Sequence, residues 1–102
     1  MIYVIATIDV APGHRDEFLA AFKANVPHVL AEEGCLEYAP AVDLETTLSG
    51  QHERRENAVV AIEKWESVAA LESHLIAPHM IAFRAQVKAW VLKVQLQILE
   101  PA

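Results

Sequence analysis

This 102-residue chain has a single cysteine, only three glycines and only eight basic side chains. With Cys35 alone, neither an intrachain disulfide nor a cysteine-based zinc site can form, which fits a reducing compartment. The glycines Gly13, Gly34 and Gly50 stand far apart, so there is no glycine-rich phosphate loop, dinucleotide fingerprint or nucleophile elbow. Eight Lys and Arg against fourteen Asp and Glu leave a formal net charge of −6. Apart from Arg54 and Arg55 the basic residues are scattered, whereas phosphate recognition needs a concentrated positive field, so nucleic acid is not an expected partner. No apolar run approaches the about 18 residues of a membrane span, and "MIYVIATIDVAPGHRDEF" reaches Asp9 without a basic leader. The expectation is one soluble, cytoplasmic domain spanning residues 1–102, with no membrane insertion.

What the chain has in abundance is apolar side chain, 54% of residues, with a mean hydropathy of +0.23. A domain of this size buries only about two-thirds of the surface its unfolded chain exposes. Part of the apolar surplus is therefore expected in a subunit interface or a ligand cavity.

Hydrophobic periodicity outlines the elements. Ile2 to Val10 alternates Ile2, Val4, Ala6, Ile8 and Val10 against Tyr3, Ile5, Thr7 and Asp9, the pattern of a strand. A helix follows, with Asp16 and Glu17 at its positive end, a face of Phe18, Phe22, Val26, Val29 and Leu30, an expected kink at Pro27 and a stop at Gly34. "CLEYAPAVDL" reads as a second strand with Leu36, Tyr38 and Val42 on one side, Pro40 marking a bulge or a sheet edge. "ETTLSGQHERREN" reads as a loop or hairpin tip. In "AVVAIEKW", Val59, Ala61, Glu63 and Trp65 share one face of a third strand. Ser67 is placed to cap a helix with the inward stripe Val68, Leu71 and Leu75. Pro78 suits the first turn of another helix, with Met80, Phe83, Val87 and Trp90 inward. "VLKVQLQIL" closes as a strand with Leu92, Val94, Leu96 and Ile98 opposite Lys93, Gln95 and Gln97.

This order, βαββαβ with the second helical segment broken at Pro78, is an α+β ferredoxin-like pattern. Helices on one face leave the other face of the sheet bare and too apolar for water. Two such sheets facing each other predict a two-fold homodimer. Alanines among the larger inward residues leave room for a pocket between sheet and helices.

His74, three residues after Leu71, falls on or beside the buried stripe of its helix. Pattern alone leaves it between a satisfied core histidine and a pocket base. His79 lies five residues on, beyond Pro78, so the two do not share a helical face. They lack the spacing of a metal pair, and no third ligand is evident. Trp65 and Tyr38 read either as core residues or as pocket walls, Arg84 as a surface charge, and Cys35 as a buried strand residue.

"VPHVLAEEGCLEYAPAVDL", "IEKWESVAALESHLIAPHMIAF" and "VKAWVLKVQLQILEP" resemble the antibiotic biosynthesis monooxygenase family, most closely its bacterial quinol monooxygenases. The resemblance spans nearly the whole chain, with the loop from Glu45 to Asn57 unmatched. It implies a dimeric α/β barrel that inserts oxygen from O2 into quinols or related polyphenols without flavin, haem or metal. An electron-rich phenolate can itself pass an electron to O2, so the protein need only deprotonate, desolvate and position it. Carried over by motif, Tyr38, Trp65 and His79 become candidate substrate-binding residues and His74 the candidate catalytic base or phenolate partner. The haem-degrading branch of the superfamily is disfavoured, because Thr7 or Ala6, His74 and Arg84 stand where it uses asparagine, tryptophan and histidine. The alternative from another class is a non-catalytic dimer that binds a small aromatic, since fold alone does not fix activity.

Overall fold

The computed structural model describes residues 1–102. The chain runs β1 (Ile2–Val10), α1 (Arg15–Leu30), β2 (Cys35–Ala41), β3 (Ala58–Trp65), α2 (Val68–Leu75), α3 (Pro78–Val87) and β4 (Val91–Leu99). Its four strands form one antiparallel sheet in the order β2-β3-β1-β4. This is the expected α+β ferredoxin-like arrangement, with β1 and β3 central. Pro40 lies on an edge strand, where its missing N–H is tolerated. No helix is long and apolar enough to cross a membrane.

Period-two alternation sends Val4, Ala6, Val10, Val59, Ala61 and Trp65 into the core under the helices. From α1, Phe18, Ala21, Phe22 and Val29 meet them. Phe83 of α3 sets its ring edge-on to Phe18 and Phe22 at 6.0 and 5.9 Å, and Phe22 stacks on Tyr38 at 5.1 Å. Aromatic pairs in these geometries add about 0.5–1.5 kcal/mol each beyond area burial. The opposite face of the sheet carries Tyr3, Ile5, Val60 and Ile62, each only partly buried.

Several local signals act as expected. Ser67 accepts a hydrogen bond from Ala70 N at 3.1 Å and caps α2, and Pro78 occupies the start of α3. Gly34 takes φ +83°, and a Cβ there would stand 2.6 Å from the Ala70 Cβ. Glycine thus lets the turn after α1 press against α2, which brings Glu32 to the inner end of that helix.

Other expectations change. β2 ends at Ala41 rather than Leu44, because Asp43 leaves the strand to take three hydrogen bonds from Arg55, through its backbone N, Nε and Nη2, each 2.9 Å. Between Cys35 and Glu37 the pairing with β3 shifts register, and of Leu36, Tyr38 and Val42 only Tyr38 is buried. On α2 the buried residues are Leu71 and His74, while Val68 and Leu75 are exposed. At the end of α1, Leu30 is exposed and Val29 fills the core. Trp90 lies in the turn after α3, half-buried and stacked on His14 at 6.1 Å. On β4, Leu92, Val94, Leu96 and Ile98 are exposed, because α1 packs over β2 and β3, and α2 over β3, instead.

Candidate functional site

A cavity of about 350 Å³ lies between the sheet and helices α1, α2 and α3. Its floor includes Ala6 and Ala61, whose short side chains leave the space their larger neighbours would fill. Thirteen of its seventeen lining residues are hydrophobic, so its two buried polar residues act in a poorly solvated medium, whereas the other two polar ones are exposed. Those four are Glu63, His74, Arg84 and Lys88.

Strand alternation points Glu63 inward between Ala61 and Trp65, where it is 6% exposed. Its Oε1 accepts a hydrogen bond from Trp65 Nε1 at 2.9 Å, and it makes no ion pair. Burial pushes the Glu63 carboxyl up to about 7, the indole hydrogen bond opposes that shift, and the Glu32 charge adds to it. Close to neutral pH, Glu63 therefore exists both as acid and as carboxylate.

His74, 2% exposed, projects from the last turn of α2. Its ring lies 4.7 Å from Trp65 and 5.5 Å from Tyr38, and its Nδ1 is 2.7 Å from Glu32 Oε2. With Nδ1–H donated to the carboxylate, the neutral ring keeps its lone pair on Nε2, which has no hydrogen-bond partner in the chain. Burial pulls the His74 pKa below the ordinary histidine value, an effect the Glu32 carboxylate partly offsets. A neutral imidazole so held is able to take a proton at Nε2.

Tyr38 lines the cavity beside Glu63, and its phenol is held far above the usual tyrosine value, first by burial and then by the charges of Glu63 and Glu32. It is thus a neutral hydrogen-bonding group. Arg84 is exposed, as expected of a surface charge, and donates to the Leu75 carbonyl at 2.7 Å while contributing to the cavity lining. Cys35 is half-buried, its thiol pushed up to about 11 by burial and by the nearby carboxylates, which leaves it a poor nucleophile at neutral pH.

The four residues singled out from the sequence gather around Glu32 and Trp65, but they do not all reach the cavity surface. Tyr38 and His74 line it. Trp65 is fully buried behind Glu63 and His74, touching both. His79 instead faces a groove between α1 and α3 that it shares with His28 and Asn25. Its Nε2 is 3.3 Å from Glu32 Oε2, near enough for ionic attraction but not aligned as a hydrogen bond. Glu32, His74 and His79 do not form a metal-binding arrangement.

Sequence reasoning passed over Glu63 and Glu32. Glu63 carried a legible signal, a carboxylate on the inward parity of a buried strand. Glu32 carried none, because only the turn at Gly34 brings it to α2.

A ferredoxin-like sheet roofed by helices over an apolar cavity, with an imidazole and a carboxyl inside it, defines the class of small α+β proteins to which this chain is similar. The chain belongs to the antibiotic biosynthesis monooxygenase family, whose model matches residues 1–86. It is 47% identical over 103 aligned residues to the Escherichia coli (strain K12) protein named "Probable quinol monooxygenase YgiN", across 99% of this chain and 98% of that protein. Among solved structures, PA3566 from Pseudomonas aeruginosa superimposes with a TM-score of 0.81 at 30% identity, covering 99% of this chain and 93% of the other. Rv0793 from Mycobacterium tuberculosis does so with a TM-score of 0.80 at 26% identity, covering 99% and 94%.

Proposed function

We propose that this protein is a cofactor-independent monooxygenase that oxidises a quinol or related polyphenolic aromatic with O2. The observation that carries the reading is His74, a buried imidazole held by Glu32 through Nδ1, with no partner in the chain for Nε2, in the lining of an apolar cavity. The family and the quinol monooxygenase relative support the reaction class.

A phenolic hydroxyl in the cavity gives its proton to His74 Nε2. The resulting phenolate, stripped of water by apolar walls and drawn by Arg84 and Lys88, is electron-rich enough to reduce O2. For a 1,4-quinol the balance is quinol plus O2 giving hydroxyquinone plus water. Tyr38 hydrogen-bonds a ring oxygen, whereas Trp65 and His79 act through Glu63, His74 and Glu32 rather than by touching substrate. Two chains pack through the bare sheet faces as a homodimer, in the cytoplasm.

Purified protein given a reduced naphthoquinone without air, then mixed with O2, should consume oxygen faster than buffer and yield a hydroxylated quinone. His74→Ala should reduce that rate by on the order of 10²- to 10⁴-fold, the usual worth of a positioned general base. Quinone binding without enhanced oxygen uptake would instead identify an aromatic-binding dimer.

A further inference from the structure

Glu63 poses a problem that packing does not answer. It occupies an inward position between Ala61 and Trp65, opposite Val4 on one neighbouring strand and Tyr38 on the other. An apolar residue there would avoid the desolvation of a carboxyl that no cation compensates. A glutamine would accept the same indole hydrogen bond without a charge. What distinguishes glutamate from both is a transferable proton, and Glu63 shares the cavity with the base that starts the proposed reaction. Trp65 touches both groups, binding Glu63 through Nε1 and lying against the His74 ring, so it fixes one relative to the other.

We propose that Glu63 is a second proton-transfer residue, which protonates the peroxide formed from O2 and then removes the ring hydrogen that expels water. The proposal rests on the quinol-oxidising reading above.

His74 takes the phenolic proton, and the phenolate passes electrons to O2, which bonds to the adjacent ring carbon as a peroxide anion. Glu63, as the acid, gives its proton to the terminal peroxide oxygen. Its carboxylate next removes the hydrogen from the same ring carbon. That C–H electron pair becomes the second bond of a new carbonyl, the O–O bond breaks, and hydroxide leaves. Hydroxide takes the proton held on His74 and becomes water. Both residues end in their starting states, and the ring has gained one oxygen atom.

Where Glu63 does not act, the peroxide takes its proton from His74 or solvent, the ring hydrogen stays, and the carbon–oxygen bond cleaves instead, hydroperoxide leaving with the bonding pair while the para hydroxyl gives up its proton. The products are then the unhydroxylated quinone and, after proton uptake, hydrogen peroxide. The titratable and charged groups that share the cavity with Glu63 are Tyr38 of β2, His74 of α2, Arg84 of α3 and Lys88 just past its end, and Glu32 lies beyond the end of α1. Among them the nearby Glu32 charge favours the protonated form of Glu63.

The test follows oxygen uptake and hydrogen peroxide yield with reduced 1,4-naphthoquinone across pH 5 to 9, for wild type, Glu63→Gln and Glu63→Asp. Naphthoquinone binding and circular dichroism serve as controls for folding. Glu63→Gln should bind the quinone within about twofold of wild type, lose on the order of 10²-fold in rate, and send most of its residual oxygen to hydrogen peroxide. It should also lose the fall in activity that wild type shows as pH rises through about 7. Glu63→Asp, which keeps a proton, should return most of the oxygen to hydroxylated product. If Glu63→Gln keeps the wild-type rate, pH profile and product ratio, the role of Glu63 falls while the oxidising function stands. If Glu63→Gln does not fold, a Glu63→Asp variant that folds yet diverts its oxygen to peroxide also overturns the role. Wild type that consumes no more oxygen than buffer overturns the function itself, and Glu63's role with it.

Discussion

Glu32 and His74 are 42 positions apart in the sequence and 2.7 Å apart in the fold, carboxylate to Nδ1. One residue in the turn after α1 thereby determines which nitrogen of a cavity histidine is free. Replacing Glu32 with Gln keeps the size of the side chain but removes the charge that favours Nδ1–H. The expected result is a fall in kcat of about tenfold or more, with naphthoquinone binding little changed. Equal weakening of rate and binding would show that Glu32 only supports the wall.

Gly34 makes that contact geometrically possible. An alanine there would strain the φ +83° backbone and set its Cβ 2.6 Å from the Ala70 Cβ. Gly34→Ala should destabilise the fold by about 2 kcal/mol or more, in a urea titration. It should also lower activity by moving Glu32 away from His74. A midpoint equal to that of wild type would show that α2 shifts freely.

Glu63 and His74 make opposite contributions to stability as pH changes. The folded-state pKa of Glu63 is raised from 4.5 to about 7, so its contribution is full below pH 4.5 and is lost as pH climbs through about 7. His74, lowered by burial, works the other way: protonation below pH 6.5 costs stability. Glu63→Gln should therefore gain stability relative to wild type as pH rises from 5 to 8, by at most about 3 kcal/mol. Parallel stability curves for the two proteins would contradict the raised pKa.

Asp43 and Arg55 close the long β2–β3 connection at its base. The Arg55 guanidinium and backbone N–H hold the Asp43 carboxyl far below the usual carboxylate range. The pairing is thus kept at neutral pH and lost in strong acid. Arg55→Ala should speed proteolytic cleavage between residues 44 and 54 severalfold, while activity changes little, since neither Asp43 nor Arg55 lines the cavity. An unchanged cleavage pattern would show that the loop is held by its other contacts.

Ile5, Val60 and Ile62 on the uncovered sheet face are expected to meet a second copy. Ile62→Asp would bury a charge at that interface and should shift the protein to monomer in sedimentation at micromolar concentration. Sedimentation of wild type as an 11.3 kDa monomer would rule out the dimer.

Much of this molecule is local in origin. Alternation fixed β1 and β3 to their end residues, because a two-residue period with one buried face tolerates no slip. Ser67 and Pro78 set where α2 and α3 begin through backbone chemistry that needs no distant partner. The inward position of His74 is legible in its helical spacing from Leu71. Its rival for that stripe, Leu75, shows the limit of such reasoning: the two are adjacent, and hydrophobicity favours leucine. Only the presence of Trp65, Tyr38 and Glu32 on the core side made room for an imidazole instead, leaving Leu75 39% exposed.

By itself, then, the sequence determined which segments become strands and helices, their antiparallel α+β order, and the placement of Tyr38 and His74 on inward faces. Tertiary structure alone decided that β2 stops at Ala41, that Glu32 reaches His74, that His79 turns to a separate groove, and that Glu63 titrates near neutrality. The reason is physical. Periodicity and capping act over a few residues along the chain, whereas hydrogen bonding between distant segments and the loss of water around a carboxyl depend on what the fold brings beside them.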